Sequence, residues 1–139
     1  DVIVGFPGET DLHFENTRRL IDALPFSYLH IFSYSPRRGT EAYQFKDLVP
    51  TSVKKERNRE LTEMIKQKAL SFRKRFLGKT VAVLIENQRD SISGLLKGHS
   101  EHYIPVALSG GDILMNRIIP VSIENIAQNQ AFGCALSSL

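Results

Sequence analysis

Three groups of residues in this sequence have the types and spacing that chemistry needs. The first is DVIVGFPGET at residues 1–10, an apolar β-branched run, a turn with Gly5 and Gly8, and a helix start at Glu9 and Thr10. Such a turn sits at the carboxyl end of a strand. Its glycines let the backbone approach a ligand, and the free N–H groups of the helix start attract carboxylate or phosphate. The same glycines also serve plain turn geometry, and the residues alone leave both readings open. The second group is SPRRGT at residues 35–40, where Arg37 and Arg38 can hold an anion bidentately or lie solvated in a loop. The third is a charge concentration: ten Lys and Arg face three Glu over residues 51–80, while 1–50 and 81–139 each carry two excess acids. A stripe of that sign attracts polyanions, nucleic acid above all, or is simply the solvated face of a helix. His30, His99 and His102 have no Cys or carboxylate at metal-ligand spacing, so packing or surface roles are read for them. The lone Cys134 cannot form an internal disulfide and reads as a small buried residue of a late strand. Neither a Ser-His-Asp arrangement nor a P-loop has support.

Elements must position these groups, and the pattern names them. With 42% hydrophobic and 24% charged residues, the 139-residue sequence has globular composition. Its longest aliphatic stretch, 81–85, is too short to span a bilayer. Residues 2–4 read as the end of a buried strand. Thr10 or Asp11 caps a helix with Phe14, Leu20, Ile21 and Leu24 on its apolar side, Pro25 ends it, and a second β-rich run covers 28–34. This is a βαβ unit with parallel strands, so SPRRGT belongs on the same rim as the GFPGE turn. Two strands and one helix do not make a domain. A strand that opens at residue 1 with no lead-in is therefore expected of a piece of a longer chain, leaving Ile3, Ile31 and Phe32 exposed. A long helix follows, capped by Thr51 or Ser52 and running to about 76. Leu61, Ile65, Ala69, Phe72 and Phe76 form its apolar face, and Lys54, Lys55, Arg59, Lys66, Arg73 and Lys74 lie opposite. Gly78 stops it. Five β runs come next, at 81–85, 92–97, 103–108, 117–126 and 131–136. Turns are read at 87–90, 109–112 and 128–130, and the whole suggests a small closed barrel of OB type. The fold class is α+β: a partial βαβ piece at 1–50, a basic linker helix at 51–77 and a five-stranded β-barrel at 78–139. One cysteine and no charged-then-apolar leader in view fit a reducing, cytoplasmic location.

The motifs become specific in combination. DVIVGFPGET, FENT at 14–17, FSYSPRRGTEA at 32–42 and VKKER at 53–57 resemble the end of the radical S-adenosylmethionine domain of methylthiotransferases. GKTVAVLIE at 78–86, GHSEHYIPV at 98–106 and FGCAL at 132–136 resemble the TRAM domain that follows it. The resemblance covers nearly the whole chain in the correct order. It implies a parent transferase with an upstream domain and a CxxxCxxC site for a 4Fe-4S cluster, using S-adenosylmethionine as radical source and methyl donor to insert a methylthio group. The resemblance assigns Ile3, Gly5, Gly8, Glu9 and Tyr34 to the cofactor. Glu9 stands one residue later than in the common Gly-x-Ile-x-Gly-x-x-Glu spacing. It assigns Arg37, Arg38, Lys54, Lys55, Arg59, Lys66, Arg73, Lys74 and Tyr103 to RNA, with Tyr103 stacking on a base if exposed and packing in the barrel core otherwise. No catalytic residue and no metal ligand is assigned within this chain, and neither cofactor is expected to bind it stably without the rest of the parent. The implied partners are the anticodon stem-loop of a tRNA and the N-terminal domains of the same protein, with no membrane. SPR at 35–37 is similar to the tRNA branches rather than the ribosomal-protein branch. GHSEHYIPV is more similar to the threonylcarbamoyladenosine branch, with its GHTxNYxxV pattern, than to the isopentenyladenosine branch, with GRTDNN. Ser100 and His102 replace the usual Thr and Asn. The alternatives carried are those other two branches and a non-catalytic RNA-binding module.

Overall fold

The β-branched run at the start pairs, as its pattern predicts, with a second strand in parallel. In a computed structural model, which describes residues 1–127 and 129–136, β1 (Val2–Val4) and β2 (Ile31–Ser33) are in register from Val2 with Ile31 to Val4 with Ser33. Between them lies α1 (Asp11–Ala23), and α2 (Thr51–Lys74) follows a loop with one 3₁₀ turn at Glu41–Gln44. The chain divides into two compact units, Asp1–Ala69 and Leu70–Leu139, and the division falls within α2.

In the first unit Thr10 caps α1. Its hydroxyl accepts from the His13 amide, and the His13 ring accepts from the Thr10 amide, each at 3.3 Å. The core is Val4, Phe14, Ile21 and Leu61, with Val2, Leu29, Ile31 and Met64 partly buried against it. The apolar side of α1 is narrower than the sequence implies. Phe14 and Ile21, two turns apart, are buried, but Leu20 and Leu24 are exposed. Leu20 sits one position round the helix from Ile21, and a stripe only one residue wide suffices to cover two short strands. Ile3 and Phe32 are half exposed, as the sequence implies for a two-stranded sheet, whereas Ile31 is partly buried against the core.

The second unit is a closed barrel of β3 (Thr80–Arg89), β4 (Leu96–Ser100), β5 (Pro105–Leu108), β6 (Ile118–Ile126) and β7 (Ala131–Ala135). The order around it is β3-β4-β5-β7-β6, closing back on β3, with β5 and β7 parallel and the other pairs antiparallel. This is the five-stranded OB-like arrangement anticipated. Alternate residues fill it: Val81, Val83 and Ile85 from β3, Leu96 from β4, Val106 and Leu108 from β5, Val121 and Ile123 from β6, and Ala131 from β7. Gly98 makes closure possible, because a Cβ there would lie 2.3 Å from the Leu84 carbonyl oxygen.

Several strand limits differ from the sequence reading. β3 runs on through 87–89, which read as turn-like. The second run starts at Leu96 rather than 92, because Asp90 accepts from the amides of Ile92 and Ser93 and from the Ser93 hydroxyl. Three bonds to one carboxylate hold 90–93 as a turn, and Gly94 at φ +70° leads out of it. The third strand starts at Pro105, since Tyr103 adopts φ +57° and cannot continue a ladder. The turn read at 128–130 includes Gln128, which lies outside the described residues. Cys134 is exposed, not buried. Inward positions on β7 are Ala131, Gly133 and Ala135, and strand alternation turns Cys134 outward.

Candidate functional site: the GFPGE turn and its supporting helix

Parallel pairing brings the two sequence motifs to one rim. Val4 ends β1 opposite Ser33 of β2, and the Tyr34 amide donates to the Val4 carbonyl at 2.8 Å. GFPGE and SPRRGT therefore leave the sheet side by side. Gly5 and Gly8 both have left-handed backbones, φ +71° and +83°. The Glu9 amide closes the turn on the Phe6 carbonyl at 2.9 Å, and the Gly8 amide donates to the Asp47 carbonyl at 2.8 Å. An open hollow of about 470 Å³ lies beside the turn, lined by residues 8–11, 47–50, Val53 and Arg57.

The cofactor residues named from the resemblance occupy distinct places. Ile3 is half exposed on the sheet. Gly8 has no atom within 4 Å of where a Cβ would be, so its backbone faces open space. The Gly5 amide is already engaged: it donates to Glu9 Oε1 at 3.0 Å. The Tyr34 ring packs edge-to-face on Phe6 at 5.2 Å, and its hydroxyl donates to the Ala42 carbonyl at 3.1 Å. An apolar wall, an aromatic pair and a bare glycine backbone suit one edge of a nucleoside-sized ligand. No group of three His, Cys, Asp or Glu placed for a metal occurs among the described residues.

Sequence reasoning missed Arg57. This guanidinium is 5% exposed, and Nη1 donates to the Glu9 carbonyl at 3.1 Å and to Glu9 Oε1 at 2.5 Å. Nη2 donates to Asp11 at 2.7 Å, and the group stacks over Phe14 at 5.3 Å. A signal was present: Arg57 lies four residues before Leu61 and eight before Ile65, a charge on the buried ridge of α2.

The cations assigned to RNA separate into two kinds. Lys54 faces inward: Nζ donates to the Tyr34 carbonyl at 3.1 Å, and its stem passes beneath Gly5. Lys55 and Arg59 are exposed on the other side of the helix. Lys66 is exposed as well, paired with Glu63 at 3.3 Å. Arg37 and Arg38 are exposed in the 35–40 loop, which is tied by the Thr40 hydroxyl donating to the Arg37 carbonyl at 2.8 Å. In the second unit Lys74 is exposed, and burial lowers the pKa of Arg73. Tyr103 is 89% exposed, available for stacking and not part of the barrel core. His102, beside it, lies 4.7 Å from the Phe76 ring. No helix is long and apolar enough to cross a membrane among the described residues.

No family model matches the chain. It is 37% identical over 133 residues to the tRNA-2-methylthio-N(6)-dimethylallyladenosine synthase of Protochlamydia amoebophila, covering 96% of this chain and 30% of that protein. It is 40% identical over 124 residues to the protein of the same name from Bacillus velezensis, covering 89% and 24%. It is 37% identical over 134 residues to the threonylcarbamoyladenosine tRNA methylthiotransferase of Thermotoga maritima, covering 96% and 30%. The chain thus spans about three-tenths or less of the length of these curated relatives.

Proposed function

The chain is homologous along nearly its whole length to the methylthiotransferases, and on that footing we propose that it is the C-terminal portion of a radical S-adenosylmethionine enzyme that modifies tRNA. In this reading residues 1–50 end the radical domain, 51–77 form a linking helix, and 78–139 are the TRAM barrel. The parent adds a methylthio group to C2 of a modified adenosine beside the anticodon. The observation that carries the reading is the parallel β1–β2 pair, with both motif loops on one rim, followed in the same chain by a closed five-stranded barrel.

Each part has a role its chemistry supports. Bound at the rim, S-adenosylmethionine would supply the methyl group and the hydrogen-abstracting radical. Ile3 and the Phe6–Tyr34 pair offer apolar contact to its adenosine portion, and Gly8 lets the ligand approach the main chain. The cluster ligands belong to the remainder of the parent. Arg37, Arg38, Lys55, Arg59, Lys66 and Lys74 meet the phosphates of the anticodon stem-loop, and the exposed Tyr103 stacks on a base. Such binding weakens steeply with salt.

At the finer level, GHSEHYIPV favours the threonylcarbamoyladenosine branch. Of the three relatives named above, two carry the dimethylallyladenosine name, at 37% and 40% identity, and one the threonylcarbamoyladenosine name, at 37%, so overall similarity gives this finer reading no support of its own. Nucleoside analysis of tRNA from a strain lacking the whole gene tests both levels. Loss of 2-methylthio-threonylcarbamoyladenosine supports the finer reading. Loss of the isopentenyl counterpart moves the chain to the other branch. Unchanged levels of both overturn the assignment. The presence of CxxxCxxC upstream of Asp1 is a further check.

A further inference from the structure

α2 carries two different ridges. Lys55, Arg59 and Lys66 face solvent, while Lys54, Arg57, Asn58 and Leu61 face the β1–β2 side of the first unit. From this inner ridge Asn58 donates to the Ile31 carbonyl at 3.2 Å, Lys54 reaches the Tyr34 carbonyl, and Arg57 takes both the side chain and the carbonyl of Glu9. Glu9 Oε1 in turn accepts from the Gly5 amide. A continuous series of hydrogen bonds therefore runs from Arg57 through Glu9 to the first glycine of the turn. A buried guanidinium is a poor way to gain stability, because an apolar side chain of similar size does as well. Its particular gift is geometric: a planar fork holds two partners at once, here Glu9 through Nη1 and Asp11 through Nη2.

We propose that Arg57 is a positioning residue, holding Glu9 and through it the Gly5 amide so that the 5–9 turn keeps the shape in which it receives its ligand. The proposal rests on the reading that this turn edges an S-adenosylmethionine site. The Glu9 carboxylate is turned back onto its own loop by Arg57, and its work is to shape the turn rather than to bind the cofactor directly.

The test uses the full-length parent with three substitutions: Arg57→Met, Arg57→Lys and, as control, Lys68→Met. Lys68 ties the same helix to the Asp22 carbonyl at 2.7 Å, remote in sequence from the turn. Three readouts are taken: S-adenosylmethionine affinity by equilibrium dialysis, hydrogen exchange of the Gly5 amide without ligand, and KM against kcat. Arg57→Met is expected to weaken affinity about tenfold or more and raise KM with a smaller change in kcat, the pattern of weakened ligand binding. Gly5 exchange quickens at the same time. Arg57→Lys keeps one charged bond without the fork and falls between. Lys68→Met leaves affinity and Gly5 exchange as in the native protein. Native affinity in Arg57→Met, or equal losses in Arg57→Met and Lys68→Met, overturns the positioning role. If Arg57→Met does not fold, native affinity in Arg57→Lys has the same force. A native parent that does not bind S-adenosylmethionine refutes the functional reading instead, while Gly5 exchange still tests the latch.

Discussion

Two glycines of the same turn, equally strained as alanine, should differ sharply in cost. Gly5 and Gly8 both sit in the left-handed region, at φ +71° and +83°. An L-side chain there costs about 1 kcal/mol or somewhat more. For Gly8→Ala that is the whole effect, since nothing lies within 4 Å of the added methyl. For Gly5→Ala the methyl would lie 2.1 Å from Lys54 Cγ and 2.6 Å from Cδ. The lysine must swing away, and its bond to the Tyr34 carbonyl goes with it. A charged hydrogen bond of this kind contributes about 1.5 kcal/mol or more, which puts Gly5→Ala near 3 kcal/mol against about 1 for Gly8→Ala. Urea unfolding, read by amide exchange in the Asp1–Ala69 unit, measures both. A double-mutant cycle isolates the cause. With Lys54→Ala already in place only a 3.3 Å approach to Cβ remains, so most of the excess should vanish, a coupling of about 1–2 kcal/mol. Equal costs for the two glycines, or an excess undiminished by Lys54→Ala, would refute the reasoning.

Further perturbations have definite expected outcomes. Ile85 is fully buried in the barrel, so Ile85→Ala should cost about 3 kcal/mol in chemical denaturation of the Leu70–Leu139 unit, whereas exposed Ile92→Ala should change almost nothing. Glu15 accepts from Arg18 and Arg19, and these bonds lower its pKa from 4.5 to about 2. Because the folded value is depressed, its support for α1 is complete above pH 4.5 and fades as pH falls through about 2; Glu15→Gln should flatten that acid limb in an amide-exchange profile of α1. Asp90 behaves with the same sign, held low by its bonds from the Ser93 amide and hydroxyl, and an NMR titration should find its carboxyl below the ordinary aspartate value. In filter-binding of an anticodon stem-loop to the full-length parent, Lys55→Glu with Arg59→Glu should weaken binding and reduce the slope of log K on log salt by about 1 for each phosphate no longer neutralised. An unchanged slope would remove the outer ridge of α2 from the RNA interface.

What the sequence determined by itself was local or periodic. The parallel β1–β2 pair followed from an apolar run, a capped helix and a second β run in βαβ order, and that order alone puts GFPGE and SPRRGT on one rim. The five-stranded barrel followed from two-residue alternation broken by turn residues, and the long helix from its 3.6-residue apolar ridge. Limits that depend on competition were misread: 92–95 has strand composition, but three hydrogen bonds to Asp90 and a left-handed Gly94 outweigh it. Cys134 reads as buried by type, but strand parity turns it out. Only the tertiary structure decided which cations of the basic helix face solvent. Charge patterning places Lys54 with Lys55, yet helix rotation sends Lys54 under Gly5 and leaves Lys55 in water. Only the tertiary structure joined Arg57 to Glu9, 48 residues apart. Propensity and periodicity are carried by neighbours along the chain, whereas a buried ion pair exists only once two distant elements have packed.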